Sequence, residues 1–226
     1  MKALKRFVSV TCALILCSVS LLPIQAAGAV SYEDLSIDDS SIVVLYTSDV
    51  HGGISNDFDY SGTDTSVTLA GVAAIKAEAE KDAAAVTLVD VGDALQGSIL
   101  CSQSSGSEVL SLMNTVGYDY QVFGNHEFDI PEADVQSRIN ESAFQWVSSN
   151  TFQKKGNDIV PFVKNGIPFP ETYIRTFTDA DGTTARIGFI GLTLPFNKAA
   201  YVSYTDVFAA AQKKYDQIKD SCDAVI

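Results

Sequence analysis

The chain has 226 residues, 15 of them basic and 28 acidic, for a net charge of −13, and 46% of the residues are hydrophobic. So acidic a balance excludes nucleic-acid polymers and anionic membranes as partners, because binding to those surfaces rests on clustered Lys and Arg.

Residues 1–29 read as an export signal. Lys2, Lys5 and Arg6 form a short basic start, an uncharged apolar run extends from Phe7 to Leu22, and small residues surround a cleavage point at Ala27-Gly28-Ala29. A membrane-spanning helix wants roughly 20 apolar residues without the Pro23 and small-residue exit found here. The expectation is therefore a cleaved leader, an exported protein (periplasmic, cell-wall or extracellular) and no stable membrane insertion afterwards. Leu16 precedes Cys17 where a lipid-modification site wants a small residue. Cleavage after Ala29 leaves 197 residues with 12 basic against 28 acidic side chains, a net charge of −16. That length is one large domain, able to bury roughly 70% of the surface its unfolded form exposes. Cys101 and Cys222 remain after cleavage and read as two ordinary thiols, since two cysteines are no disulfide framework.

Residues 30–41 form a short acidic tether, and a single domain is expected over 42–226. Ile42 to Tyr46 is a buried strand by length and β-branching. Leu69 to Lys81 is an Ala-rich helix, Ala85 to Val91 a second strand, and Ser107 a cap for a helix that stops at Gly117. Tyr120 to Phe123 is a third strand. Pro131 opens a helix toward Ser142, and Phe144 to Val147 is a short fourth strand. After Asn150 the pattern loosens. Tyr173 to Phe177 and Ala185 to Leu192 form a hairpin around Asp179-Ala180-Asp181-Gly182. A helix follows from about Val207 to Asp220, and a last strand begins at Ala224. Alternating strands and helices predict an α/β sheet with helices on its faces, and in such sheets ligands sit outside the carboxyl ends of the strands.

Each of the first three strands ends in side chains able to hold a metal. The first is followed by Thr47-Ser48-Asp49-Val50-His51-Gly52-Gly53, the second by Gly92-Asp93, and the third by Gly124-Asn125-His126-Glu127-Phe128-Asp129. Both histidines of the chain fall in these loops. In extended backbone Asp49 and His51 alternate, so both reach one ion from one side of the chain. Asp93 arrives from the neighbouring strand with two oxygens to share between two cations, and Asn125 offers a neutral carbonyl oxygen to the second. Such a donor set suits Mn, Fe, Zn, Co or Mg rather than a soft metal. Two ions about 3.5–4 Å apart clamp a phosphate and activate a water. His126 follows Asn125 directly and is expected to face the substrate, stabilising phosphoryl charge or protonating the leaving alkoxide. Asp129, three residues on, is placed to orient that imidazole and keep it charged. For a chain this acidic, a phosphate-bearing ligand has to be small and drawn by the metals' positive charge. Phe58, Tyr60 and Trp146 read as core or loop packing rather than as pocket walls.

The TSDVHGG, VDVGDALQGS, GYDYQVFGNHEFD and ARIGFIGLTLP stretches resemble the successive motifs of calcineurin-like metallophosphoesterases. The Phe128-Asp129 ending and the Gln96-Gly97-Ser98 turn resemble the branch of 5′-nucleotidases, 2′,3′-cyclic phosphodiesterases and UDP-sugar hydrolases. The resemblance covers about Ile42 to Ile226. It implies a four-layer α/β domain, two sheets flanked by helices. It implies Asp49, His51 and Asp93 on one ion, Asp93 and Asn125 on the other, Asn125 and His126 at the substrate, and His126 with Asp129 as the catalytic pair. Its substrate would be a small nucleotide-like phosphate ester. Ser48 stands where the branch has Asn and touches no ligand position.

One departure is larger. The family completes its dinuclear site with a His after a later strand and a further His-x-His or His-x-Gln loop, whereas no histidine follows His126 here. The expectation is the N-terminal part of a longer enzyme, incomplete at its carboxyl end, with four of about seven ligands and weak metal binding. The competing expectation is a catalytically inactive, secreted interaction module; within enzymes, a sulfur-ester hydrolase of the same superfamily.

Overall fold

The computed structural model describes residues 10–14, 37–53, 68–197 and 199–226, the first of these as backbone only. Most of the export signal, most of the tether and the segment with Phe58 and Tyr60 lie outside the described residues.

Five strands form a wholly parallel sheet in the order β1 (Val10–Leu14), β2 (Ile42–Thr47), β3 (Ala85–Asp90), β4 (Tyr120–Gln121) and β5 (Gln145–Trp146). The sequence of β2 is apolar almost throughout because both faces of a parallel sheet are covered. Val43 and Leu45 face the helices, while Ile42 faces a second sheet. Helix α1 (Leu69–Asp82) links β2 to β3, α2 (Ile99–Ser104) and α3 (Ser107–Val116) link β3 to β4, and α4 (Glu132–Glu141) links β4 to β5. Leu69 and Val72 of α1, Val109, Leu110 and Met113 of α3, and Val135 and Ile139 of α4 bury against Leu88, Phe123 and Trp146.

After β5 a loop region carries a three-stranded sheet of β6 (Thr151–Lys155) and β7 (Asp158–Val160), joined later by β12 (Val202–Tyr204), and a small ladder of β8 (Val163–Lys164) with β9 (Ile167–Pro168). The hairpin β10 (Thr172–Thr178) and β11 (Thr184–Ile190) lies on the other face of the parallel sheet, burying Phe177, Ala185, Ile187 and Phe189 against Ile42, Tyr120 and Val147. Helix α5 (Val207–Ile218) sets Ile218 over Gly188 of β11, and β13 (Ala224–Val225) pairs parallel with β11. The layers run helix, sheet, sheet, helix, as the resemblance implies.

Several local expectations need correction. Ser107 does not cap α3: its hydroxyl donates to Glu108, and Gly106, with φ of +77°, occupies the cap position. The sequence reading missed α2, a six-residue helix capped by Ser98, because so short a helix shows no full apolar period. The loosened pattern after Asn150 also hides four short strands, β6 to β9. Those strands are two to five residues long, and β6 finds its partner β12 some fifty residues away, which no local periodicity reports. At the end of the tether Asp38 accepts hydrogen bonds from Ser40 and Ser41 and closes a turn into β2. Trp146 is fully buried in the core, and Cys101 and Cys222 are free thiols.

Arg175 ties the two sheets. Its guanidinium donates to Asp119 at 2.9 Å and to buried Thr87 at 3.0 Å. Arg175→Ala is expected to cost about 1–2 kcal/mol, the pair being partly open to solvent. Urea unfolding measures this, and an unchanged midpoint would count against the cross-tie.

Candidate metal centre

The register of the parallel sheet builds the site. Thr47 pairs with Asp90, and Asp90 with Gln121, so β2, β3 and β4 end side by side. Their loops therefore leave from one edge. Backbone bonds then zip the first loop to the second: Asp49 N–H donates to Gly92 O, His51 N–H to Asp93 O and Gly52 N–H to Ala94 O, at 2.8–3.0 Å. This zipper corrects the expected extended backbone. Asp49, His51 and Asp93 have φ of +54°, +47° and +61°, a left-handed conformation that costs free energy in non-glycine residues and persists only where the surroundings enforce it. Asp49 and His51 nonetheless face the same way, with His51 Nε2 3.8 Å from Asp49 Oδ1.

His51 Nδ1 lies 2.8 Å from the carbonyl oxygen of Gln96. A carbonyl only accepts, so Nδ1 carries the proton and neutral His51 presents an unprotonated Nε2, the form a metal ligand needs. Gly97 permits the approach, because a Cβ there would stand 2.6 Å from the His51 Cβ. Gly124 plays the same part beside Asp93, where a Cβ would meet the carboxylate at 2.2 Å.

His126 opens a 3₁₀ turn, His126–Asp129, headed by half-buried Asn125. Its backbone N–H donates to Asp93 Oδ1 at 2.6 Å, and its Nδ1 lies 2.6 Å from Asp129 Oδ2. The rings of His51 and His126 stand edge to face, 5.2 Å apart. Donor atoms of His51, Asp93 and His126 lie within 4.8 Å of one another. The three strand ends thus bring both histidines and Asp93 together, with Asp49 beside His51. Asn125 is adjacent in chain, and His126 stands among these donors rather than apart from them.

Burial raises the carboxyl pKa of Asp93, against the opposing hydrogen bond from His126. The bond to Asp129 raises that of His126 above its ordinary 6.5. With a folded-state pKa above the unfolded one, the stability His126 contributes is complete below pH 6.5 and is lost as pH rises through the folded value. Asp129→Asn is expected to return the His126 titration toward 6.5, read by imidazole NMR on a chain with only two histidines. A titration unmoved by the substitution would remove Asp129 as the cause.

Two buried carboxylates escaped the sequence reading. Asp90, at 0% exposure, accepts from Thr47 Oγ1, Gly92 N–H and Gln121 Nε2, and burial pushes its pKa well up. Glu127, also at 0%, accepts from the backbone N–H groups of Asp93, Ala94, Leu95 and Gly124 at 2.7–3.1 Å. It locks the second loop to the third. The only signal for it was its place after Asn125-His126, which does not say that the side chain turns inward.

Two parallel-sheet loops and a 3₁₀ turn converging on carboxylates and imidazoles, on a helix–sheet–sheet–helix frame, define the calcineurin-like phosphoesterase fold. The solved phosphoesterase YfkN of Bacillus subtilis superposes with a TM-score of 0.63 at 23% identity, over 80% of this chain and 59% of that one. A 5′-nucleotidase precursor from Thermus thermophilus does so at 0.62 and 22%, over 80% and 35%. No family model matches the chain. Its sequence relatives are 5′-nucleotidases: that of Bos taurus is 28% identical over 186 residues, 79% of this chain and 31% of the relative, and a venom 5′-nucleotidase of Gloydius brevicauda is 28% identical over 78% and 30%. The resemblance to the 5′-nucleotidase branch of calcineurin-like phosphoesterases therefore holds for this chain, which spans about a third of the length of those relatives. Among the described residues no helix is long and apolar enough to cross a membrane.

Proposed function

We propose that this chain carries residues of a two-metal site for hydrolysing phosphate esters of small nucleotides, in an exported protein. The observation that carries the reading is the meeting of His51, Asp93 and His126 within 4.8 Å, with His126 held by Asp129. The relatives' names favour a hydrolase over a secreted non-enzymatic module.

The residues fit divalent ions of the Mn, Zn, Co, Mg or Fe kind. Oxygen and imidazole donors converge, His51 has the right tautomer, and Asp93, a carboxylate whose charge burial disfavours, lies among them. Asp49, His51 and Asp93 would hold one ion, and Asp93 with Asn125 the other. Bound ions supply charge neutralisation and an activated water. His126, its Nδ1 engaged by Asp129, has Nε2 left to donate toward a phosphoryl oxygen or the leaving alkoxide. Asp129 fixes the ring orientation and favours the protonated form. The proximity of His126 to His51 and Asp93 supports a second reading, in which His126 is itself a ligand of the first ion.

The test is release of phosphate from 5′-AMP by the purified chain with Mn²⁺, Zn²⁺, Co²⁺ or Mg²⁺ supplied in turn. Metal-dependent release, lowered in His126→Ala by about 10²- to 10⁴-fold, is the expected result. Equal release by the variant, or failure of every one of these metals to bind the chain, would overturn the reading, and ready release by the chain alone would overturn the expectation that its site is incomplete.

A further inference from the structure

We propose that Asn197 is a positioning residue for the His126–Asp129 pair, an inference that rests on the role given above to His126. Asp129 uses its two oxygens for two partners: Oδ2 faces His126 Nδ1 at 2.6 Å, and Oδ1 accepts from Asn197 Nδ2 at 2.7 Å. The orientation of the amide is settled by its other end, since Asn197 Oδ1 accepts from the backbone N–H of Ala199 at 2.8 Å. A flipped amide would set an oxygen against a carboxylate and an N–H₂ against an N–H, losing both bonds. Asn197 is thus a one-way clamp.

The clamp arrives from a rigid place. Thr193, just before it, is 2% exposed; its hydroxyl donates to Phe123 O at 2.6 Å, and its backbone exchanges bonds with the buried Asn150 amide at 2.8 and 2.9 Å. Phe123, two residues past the end of β4, leads into Gly124-Asn125-His126. The segment after β11 and the third metal-side loop are therefore fixed to a common point. Asp129 lies on the surface at the end of a single 3₁₀ turn, where water competes for both of its oxygens. With Oδ1 held by Asn197, Oδ2 is the oxygen turned to the imidazole. A residue that holds the partner of a working histidine acts through that partner, as outer hydrogen bonds do at metal-bound imidazoles.

The experiment is ¹⁵N-imidazole NMR on the full chain without metal, the two histidines being told apart by His51→Ala. In the parent chain the His126 Nδ1–H should appear as a downfield signal protected from exchange. In Asn197→Ala it should exchange at least about tenfold faster or vanish, with the His51 signals and the melting temperature unchanged. Asn197→Asp, which opposes two carboxylates, should abolish it, and Asn197→Gln should restore part of it. Equal protection in the parent and Asn197→Ala would overturn the proposal, as would loss in Asn197→Ala that Asn197→Gln does not relieve at all. Because this readout needs no turnover, a chain that shows the expected signals but binds no divalent metal leaves the clamp standing and removes the hydrolase reading alone.

Discussion

Replacing Glu127 by Ala is expected to lower the unfolding free energy by about 3–5 kcal/mol, the range for breaking a buried, fully hydrogen-bonded charge. Four backbone N–H groups, those of Asp93, Ala94, Leu95 and Gly124, would lose their acceptor in a place without exposure to water. In a domain of this size each kcal/mol moves the melting temperature by about 2–4 °C, so a fall of about 10 °C should be seen by calorimetry. Gln is not a safe replacement. Each carboxylate oxygen accepts two N–H bonds, so whichever becomes an amide nitrogen must face two donors. Glu127→Gln should therefore recover at most about half of the loss, and a Gln variant as stable as the parent would show that shape rather than charge fills the site. Burial raises the pKa of Glu127. With its folded value above the unfolded one, the group's contribution weakens as pH rises from 4.5 through the folded value.

The second large effect is on metal binding. Asp93→Ala should weaken Mn²⁺ binding to the chain by at least about 100-fold, since even partners one bond removed from a metal are worth 10- to 100-fold. In the parent chain, Mn²⁺ at about 100 times its Kd should stabilise the fold by about 2.7 kcal/mol, and the variant should lose that shift. The control is Asp216→Asn, which removes one negative charge from the Asp216–Lys219 pair on the exposed face of α5. Calorimetry that gives one affinity for all three proteins would mean that overall acidity, not this site, attracts the metal.

How much of this was legible beforehand follows from how far each feature depends on distant residues. The strands β2 and β3 and the helix α1 show in their own apolar patterns, and the β10–β11 hairpin shows in its turn residues. Asp49, His51, Asp93, Asn125, His126 and Asp129 stand out because each lies in a loop that follows a strand, and a parallel α/β sheet gathers those loops. The contact of Asp129 with His126 needed only a tight turn. By contrast α2 and the β6–β12 pairing have too little local pattern to announce themselves. The left-handed backbone at Asp49 and His51 arises from bonds to the second loop, and residue types do not encode a zipper across 42 or 43 positions. Glu127 reads as one more acidic loop residue until the backbone folds around it, and Asn197 as an ordinary polar residue after Phe196.

The sequence by itself determined the class of fold, the order of its metal-capable loops and the residue types they carry, because strand periodicity and loop composition are local properties. Only the tertiary structure decided that His126 stands among the donors, that Gln96 sets the tautomer of His51, and that Glu127 and Asn197 hold the site in place. Each of those depends on a hydrogen bond between segments brought together by the register of the parallel sheet and by the second sheet packed upon it, and a bond of that kind forms only once the chain has folded.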